Sequence, residues 1–206
     1  MAKDYFKALK EAPYPLFIAP RPYSFDLNED MIQLLRDDFN ADGVASKLAE
    51  AISGKAKSAI NKVAKDIFED YGQKWMKRAI QLGEEYPDRT IEIVLESVDG
   101  EGNQFLTFPH LPQRFVEIAY LGTQEFLKLP VTLSYKDEFA YRVPQCLLFN
   151  KIKEKCGEEV ANLMTCQHGC LKALDTLSKD LEMDMVINMT ASTVKDGYCE
   201  FSLKKL

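Results

Sequence analysis

Histidine is nearly absent from this chain of 206 residues: only His110 and His168 occur. A histidine-rich metal centre is thereby excluded. A Ser-His-Asp triad would have to use one of these two, and neither sits beside a recognisable nucleophile. Phosphate-cradling and hydrolase signatures are missing as well: there is no G-x-G-x-x-G, no P-loop, no G-x-S-x-G and no H-E-x-x-H. Positive charge is in deficit, since 26 Lys and Arg against 32 Asp and Glu leave a formal net charge of −6. An acidic chain without a basic run is poorly suited to a phosphate backbone, so nucleic acid is not an expected partner. No apolar run approaches the roughly 18 residues of a membrane helix. The apolar stretch Leu16–Ala19 is short and fenced by Pro13, Pro15, Pro20 and Pro22, unlike a secretory leader. No membrane partner is expected either.

Cysteine is absent from the first 145 residues, whereas five cysteines lie between Cys146 and Cys199. An odd number of thiols in an acidic chain without a leader points to a reducing cytoplasm rather than a disulfide framework. The rest of the composition is that of a globular protein, 46% hydrophobic and 28% charged.

Along the chain, residues 1–25 carry four of the nine prolines, interleaved with Tyr14, Phe17, Tyr23 and Phe25, and read as an extended arm docked on the body. Residues 26–206 read as a single α+β domain. Asp26 or Asn28 caps a helix from about Glu29, and Gly43 separates it from a second helical pattern. The strongest helical signal runs from Ser58 to about Glu85. Its apolar residues, from Ile60 through Phe68 and Trp75 to Ile80, recur mostly at steps of three or four. Near residue 90 the period becomes two. TIEIVLESV reads as a strand, DGEGN (99–103) as a turn, and residues 105–143 as several strands, the clearest being VTLSYKDEFAYRV. His110, between Pro109 and Leu111-Pro112, is expected in a loop. Helices resume in CLLFNKIKEKCG, with Gly157 as the stop, and continue through VANLMTCQHGCLKALDTLSKDL. MDMVINMTAS and GYCEFSLKK close the chain as a β-hairpin turning at Asp196-Gly197. Runs of helices and strands segregated in this way indicate an antiparallel sheet.

Chemistry is concentrated in region 140–206. Cys166 and Cys170 stand four apart, on one face of a helix, close enough to bind one metal ion together. Cys146 follows Pro144-Gln145 at a strand-to-helix junction. Cys199 shares its strand face with Phe201 and Leu203, a face expected to look into the core. Convergence of Cys146, Cys166 and Cys199 on one cavity follows if the last hairpin packs under the cysteine helices. Helix N-termini at Cys146 and Cys166 would favour thiolates. Against these readings stands the habit of free cysteine to act as a small buried hydrophobe. Paired C-x₂-C zinc spacing is absent.

The C-terminal third resembles a known family. The residues that carry the likeness are PQCLLFNKIKEKCG, MTCQHGCLKALDTL and TASTVKDGYCEFSLKK. This pattern looks like the L-2-amino-thiazoline-4-carboxylic acid hydrolase family, and its closing strand is also similar to that of 4-vinyl reductase small-molecule-binding domains. The resemblance implies ring opening of a cyclic amidine by added water, with Cys146, Cys166 and Cys199 as the recurring, catalytic cysteines. It also implies a cationic partner for the substrate carboxylate, for which Arg142 is the nearest candidate, with His168 as a further substrate-binding group. A metal ion on Cys166, Cys170 and Cys199 would be the cofactor that activates water. The family often carries an acid where this chain has Gly169. The alternative is a non-catalytic domain that binds a small molecule or a metal. The expected partner is a small-molecule ligand, and the oligomeric state stays open, a homodimer included.

Overall fold

The computed structural model describes residues 25, 27–86, 108–125 and 128–206. The proline-rich arm up to residue 24, the expected strand at 90–98 and the turn at 99–103 lie outside the described residues. The fold is α+β. Among the described residues three helices come first: α1 (Glu29–Asp38), α2 (Ala41–Ile52) and the long α3 (Lys57–Glu85). The α4 helix (His110–Thr123) follows, then strands β1 (Val131–Ser134) and β2 (Glu138–Val143). Next come α5 (Leu147–Cys156), the short α6 (Glu158–Ala161) and α7 (Gln167–Asp180). Strand β3 (Met185–Ala191), the single turn α8 (Thr193–Asp196) and β4 (Cys199–Lys205) complete the described chain.

Local chemistry sets several boundaries. Asn28 caps α1 through its side-chain oxygen, which accepts from the Asp30 and Met31 N–H groups at 2.8 and 3.3 Å. Asn40 caps α2 in the same way, accepting from Gly43 N–H at 2.6 Å. Gly43 therefore lies inside the first turn of α2 instead of separating two helices. Gly157 ends α5 with φ at +86°, as its position suggests. Asp196-Gly197 also works as a helix stop. Gly197, at φ +80°, terminates α8, so a helical turn connects β3 to β4 in place of a two-residue hairpin.

The four strands form one antiparallel sheet in the order β1-β2-β4-β3. VTLSYKDEFAYRV is folded back on itself: it supplies β1 and β2, turning at Lys136-Asp137, where Tyr135 N–H donates to Glu138 O at 2.7 Å. On β4, Cys199, Phe201 and Leu203 are buried while Glu200 and Ser202 are not, the alternation expected of a sheet with one dry face.

The largest departure from the sequence reading is α4. Residues 110–123 are helical, not strands, and His110 opens the helix instead of sitting in a loop. From Pro112 to Thr123 every residue is buried, including Gln113, Arg114 and Glu117. A helix covered on all sides has no polar stripe, and its sequence then loses the 3.6-residue signature. Its polar side chains are paired within the core: Gln113 Nε2 donates to Glu117 Oε1 at 2.9 Å, and Arg114 Nη2 donates to Tyr86 O at 2.9 Å.

The α3 and α7 helices pack most closely where Gly72 meets Gly169. A Cβ placed on Gly72 would lie 2.0 Å from the Gly169 carbonyl oxygen. The bare backbones of the two glycines are what allow this approach. One cluster of buried side chains extends from Met31 on α1 to Leu203 on β4.

Candidate functional site

Four cysteines line one cavity at the centre of this packing. Cys146 is the N-cap of α5, at the end of β2. Cys166 is the N-cap of α7 and Cys170 lies in that helix's first turn. Cys199 begins β4. The helical stretch 160–181 is interrupted at Met164, φ +53°, and Cys166 stands at a helix start as the sequence reading expects. Cys146, Cys166, Cys170 and Cys199 share the wall with Tyr71 and Trp75 of α3, Tyr120 and Thr123 of α4, and Val143, Leu148 and Phe201. Cys156 is apart from them, 3.9 Å from the Ala45 carbonyl.

The cavity leaves about 30 Å³ open to the centre of a water molecule. That is roughly two or three water positions. Aromatic rings form much of its frame. Trp75 stacks on Tyr71 at 6.0 Å and meets Tyr120 edge-on at 5.1 Å, and Tyr120 in turn meets Tyr141 at 5.3 Å. Trp75 Nε1 is satisfied by the Ala119 carbonyl at 3.1 Å, and the Tyr120 and Tyr141 hydroxyls lie 3.4 Å apart.

Electrostatics at this site oppose thiolates. Burial raises the Cys146 thiol from 9.0 to about 11. The hydrogen bond that Cys146 Sγ accepts from Phe149 N–H, at 3.4 Å, offsets only part of that rise. Cys166 is held well above the usual thiol range, first by burial and then by the neighbouring thiols of Cys146, Cys170 and Cys199. Cys170 is raised by burial and by Cys146, against a hydrogen bond from the Tyr120 hydroxyl. The Tyr71 and Tyr120 hydroxyls are likewise raised by burial first and by Cys170 second. The expected thiolate stabilisation at helix N-termini is thus outweighed: desolvation dominates, and the thiols stay protonated at neutral pH. Cys199 shares a 3.1 Å hydrogen bond with the Thr193 hydroxyl.

Two expected substrate-binding residues are not part of the cavity wall among the described residues. Arg142 follows the strand alternation outward. It is paired with Glu200 on β4 and lies 4.6 Å over the Tyr198 ring, with its side chain 46% exposed. His168 is half-buried in the first turn of α7 and is not among the lining residues. The expected metal set fares likewise. Among the described residues, no three His, Cys, Asp or Glu side chains are grouped closely enough to hold a metal ion, so Cys166, Cys170 and Cys199 do not form a ready-made site.

A Cβ on Gly169 would sit 3.1 Å from the Phe68 carbonyl oxygen, so a side chain at this helix crossing requires its neighbour to give by a few tenths of an ångström. Sequence reasoning missed Tyr120 and Thr123, because α4 was not recognised as a helix. Tyr71 and Trp75 were legible as members of a buried helix face, but nothing in the spacing distinguished a cavity wall from packed core.

No protein-family model, curated protein or solved structure matches this chain. Among the described residues, no helix is long and apolar enough to cross a membrane.

Proposed function

We propose that this chain is a small-molecule-binding domain whose ligand is small, neutral and largely apolar, held in the four-cysteine cavity. One observation carries the reading: the cavity wall combines four thiols with aromatic faces and, among the described residues, contains no carboxylate, imidazole or cation. A ligand pocket of this kind binds by shape and dispersion, with a few hydroxyl and thiol groups to orient the guest. The similarity of the closing strand to 4-vinyl reductase domains supports the same reading.

Ring-opening hydrolysis of an amino-thiazoline carboxylate demands more. It needs an ionised thiol or an activated water, a base within hydrogen-bond reach and a partner for the carboxylate. Burial holds the Cys146, Cys166 and Cys170 thiols above the usual range, and Arg142 is engaged outside the wall with Glu200. The two functions separate in one experiment. Purified protein is incubated with 2-amino-thiazoline-4-carboxylate, and separately with neutral thiazole, with ring opening and complex formation followed by mass spectrometry. Binding of thiazole without turnover of the carboxylate is expected. Turnover that disappears in Cys166→Ala would establish the hydrolase instead.

A further inference from the structure

A second depression adjoins the cysteine cavity. It lies between the α1–α2 corner and α3, is open to solvent, and has about 250 Å³ accessible to water centres. Its rim is polar, with Asp38, Lys47, Asp70 and Lys74, and Phe39 lies in its wall. Tyr71 belongs to both spaces, lining the groove on one side and the thiol cavity on the other. The chain at residues 40–41 forms the same boundary, Asn40 facing the groove and Ala41 the cavity. We infer that this groove is the route by which small molecules reach the thiol cavity, and that the Tyr71 ring is the movable wall between them.

Two other boundaries of the cavity among the described residues are costly to displace. The α3–α7 crossing is locked by backbone contact at Gly72 and Gly169, and the sheet side is closed by Val143 and Phe201 on paired strands. Tyr71 is different. It is half-buried, whereas Trp75, one turn on, is 3% exposed. Its ring is held by an edge contact to Phe39 at 5.7 Å and by stacking on Trp75 at 6.0 Å. Two ring contacts are a weak restraint, so a side-chain swing is far easier than separating helices. The cavity has room for only about two or three waters, and an outward swing of Tyr71 joins it to the larger space of the groove.

The purpose of the route rests on the ligand-binding reading, but the route itself is tested without any ligand. N-ethylmaleimide serves as a small neutral probe, and peptide mass spectrometry reads each cysteine separately. Cys156, outside the cavity, is the internal reference. Tyr71→Ala is expected to accelerate alkylation of Cys146 and Cys170 at least ~10-fold relative to Cys156, as a lowered local opening barrier requires. Val131→Ala, a buried trim on β1 outside the cavity wall, controls for general loosening and is expected to leave the ratio near wild type. Lys47→Trp, made on the exposed groove rim in the Tyr71→Ala background, is expected to slow the reaction again. Where Tyr71→Ala loses cooperative unfolding, Tyr71→Leu carries the same comparison. Equal acceleration by the Tyr71 and Val131 changes, or indifference to Lys47→Trp, would overturn the route. Such a result leaves ligand binding standing if thiazole still binds; labelling that follows Tyr71 with no thiazole bound sinks the ligand reading alone.

Discussion

Cys146 sits where a helix N-terminus donates hydrogen bonds, yet its thiol is raised to about 11 because burial outweighs them. This has a consequence for stability. The unfolded chain releases the proton near 9.0, the folded chain only near 11. Below pH 9 both states are neutral and the full contribution is present. Between the two values the unfolded state loses protons first, and stability falls as pH rises through about 11. Cys146 alone accounts for a loss on the order of 2 kcal/mol, and Cys166 and Cys170 shift in the same direction. Urea midpoints measured at pH 8 and pH 10.5 should therefore drop for the wild type and drop less for Cys146→Ala. A midpoint as high at pH 10.5 as at pH 8 would mean that these thiols are not dry. Cys199 shows how far a single residue was legible. Alternation with Phe201 and Leu203 assigned its inward direction correctly, because a strand face is set by parity alone. The net effect of a helix N-terminus on a thiol was not legible, because it depends on desolvation by residues distant in sequence.

Among the elements, the crossing of α3 and α7 carries the site, since it fixes Tyr71 and Trp75 opposite Cys166 and Cys170. Gly72→Ala would drive a methyl group into the Gly169 carbonyl, and separating the helices to relieve it would open the core. A cost of about 3 kcal/mol or more is expected by thermal or urea unfolding, with Gln73→Ala on the exposed face close to neutral. Gly169→Asp should also destabilise, by less, because its Cβ would crowd the Phe68 carbonyl oxygen at 3.1 Å. A wild-type melting temperature in either variant would refute the close-contact account. In the sequence Gly72 registered only as a weak point in a helix; its partner lies almost a hundred positions away, and only the packing reveals why no side chain fits. The α4 helix was illegible for a different reason. Helix and strand are told apart by where polar residues fall, and in α4 even Gln113, Arg114 and Glu117 point into protein. The long α3, with its one buried face, kept its period and was recognised almost to its ends.

On the scale of the molecule, segregated helical and strand-rich segments announced an α+β fold, and the antiparallel sheet bears that out. Convergence of the cysteines needed more than pattern. It arises because β2, α5, α7 and β4 all begin or end at one place, beneath the α3–α7 crossing. That place holds the chain's single tryptophan, Trp75, in the cavity wall. Its emission is therefore a direct report on occupancy. The decisive measurement is a titration of Trp75 fluorescence with neutral thiazole, in the wild type and in Cys170→Leu, where the added bulk fills the cavity. Saturable quenching or a spectral shift in the wild type, abolished in Cys170→Leu, is the result expected of a ligand cavity. A linear response identical in the two proteins would contradict it and leave the four thiols as packing.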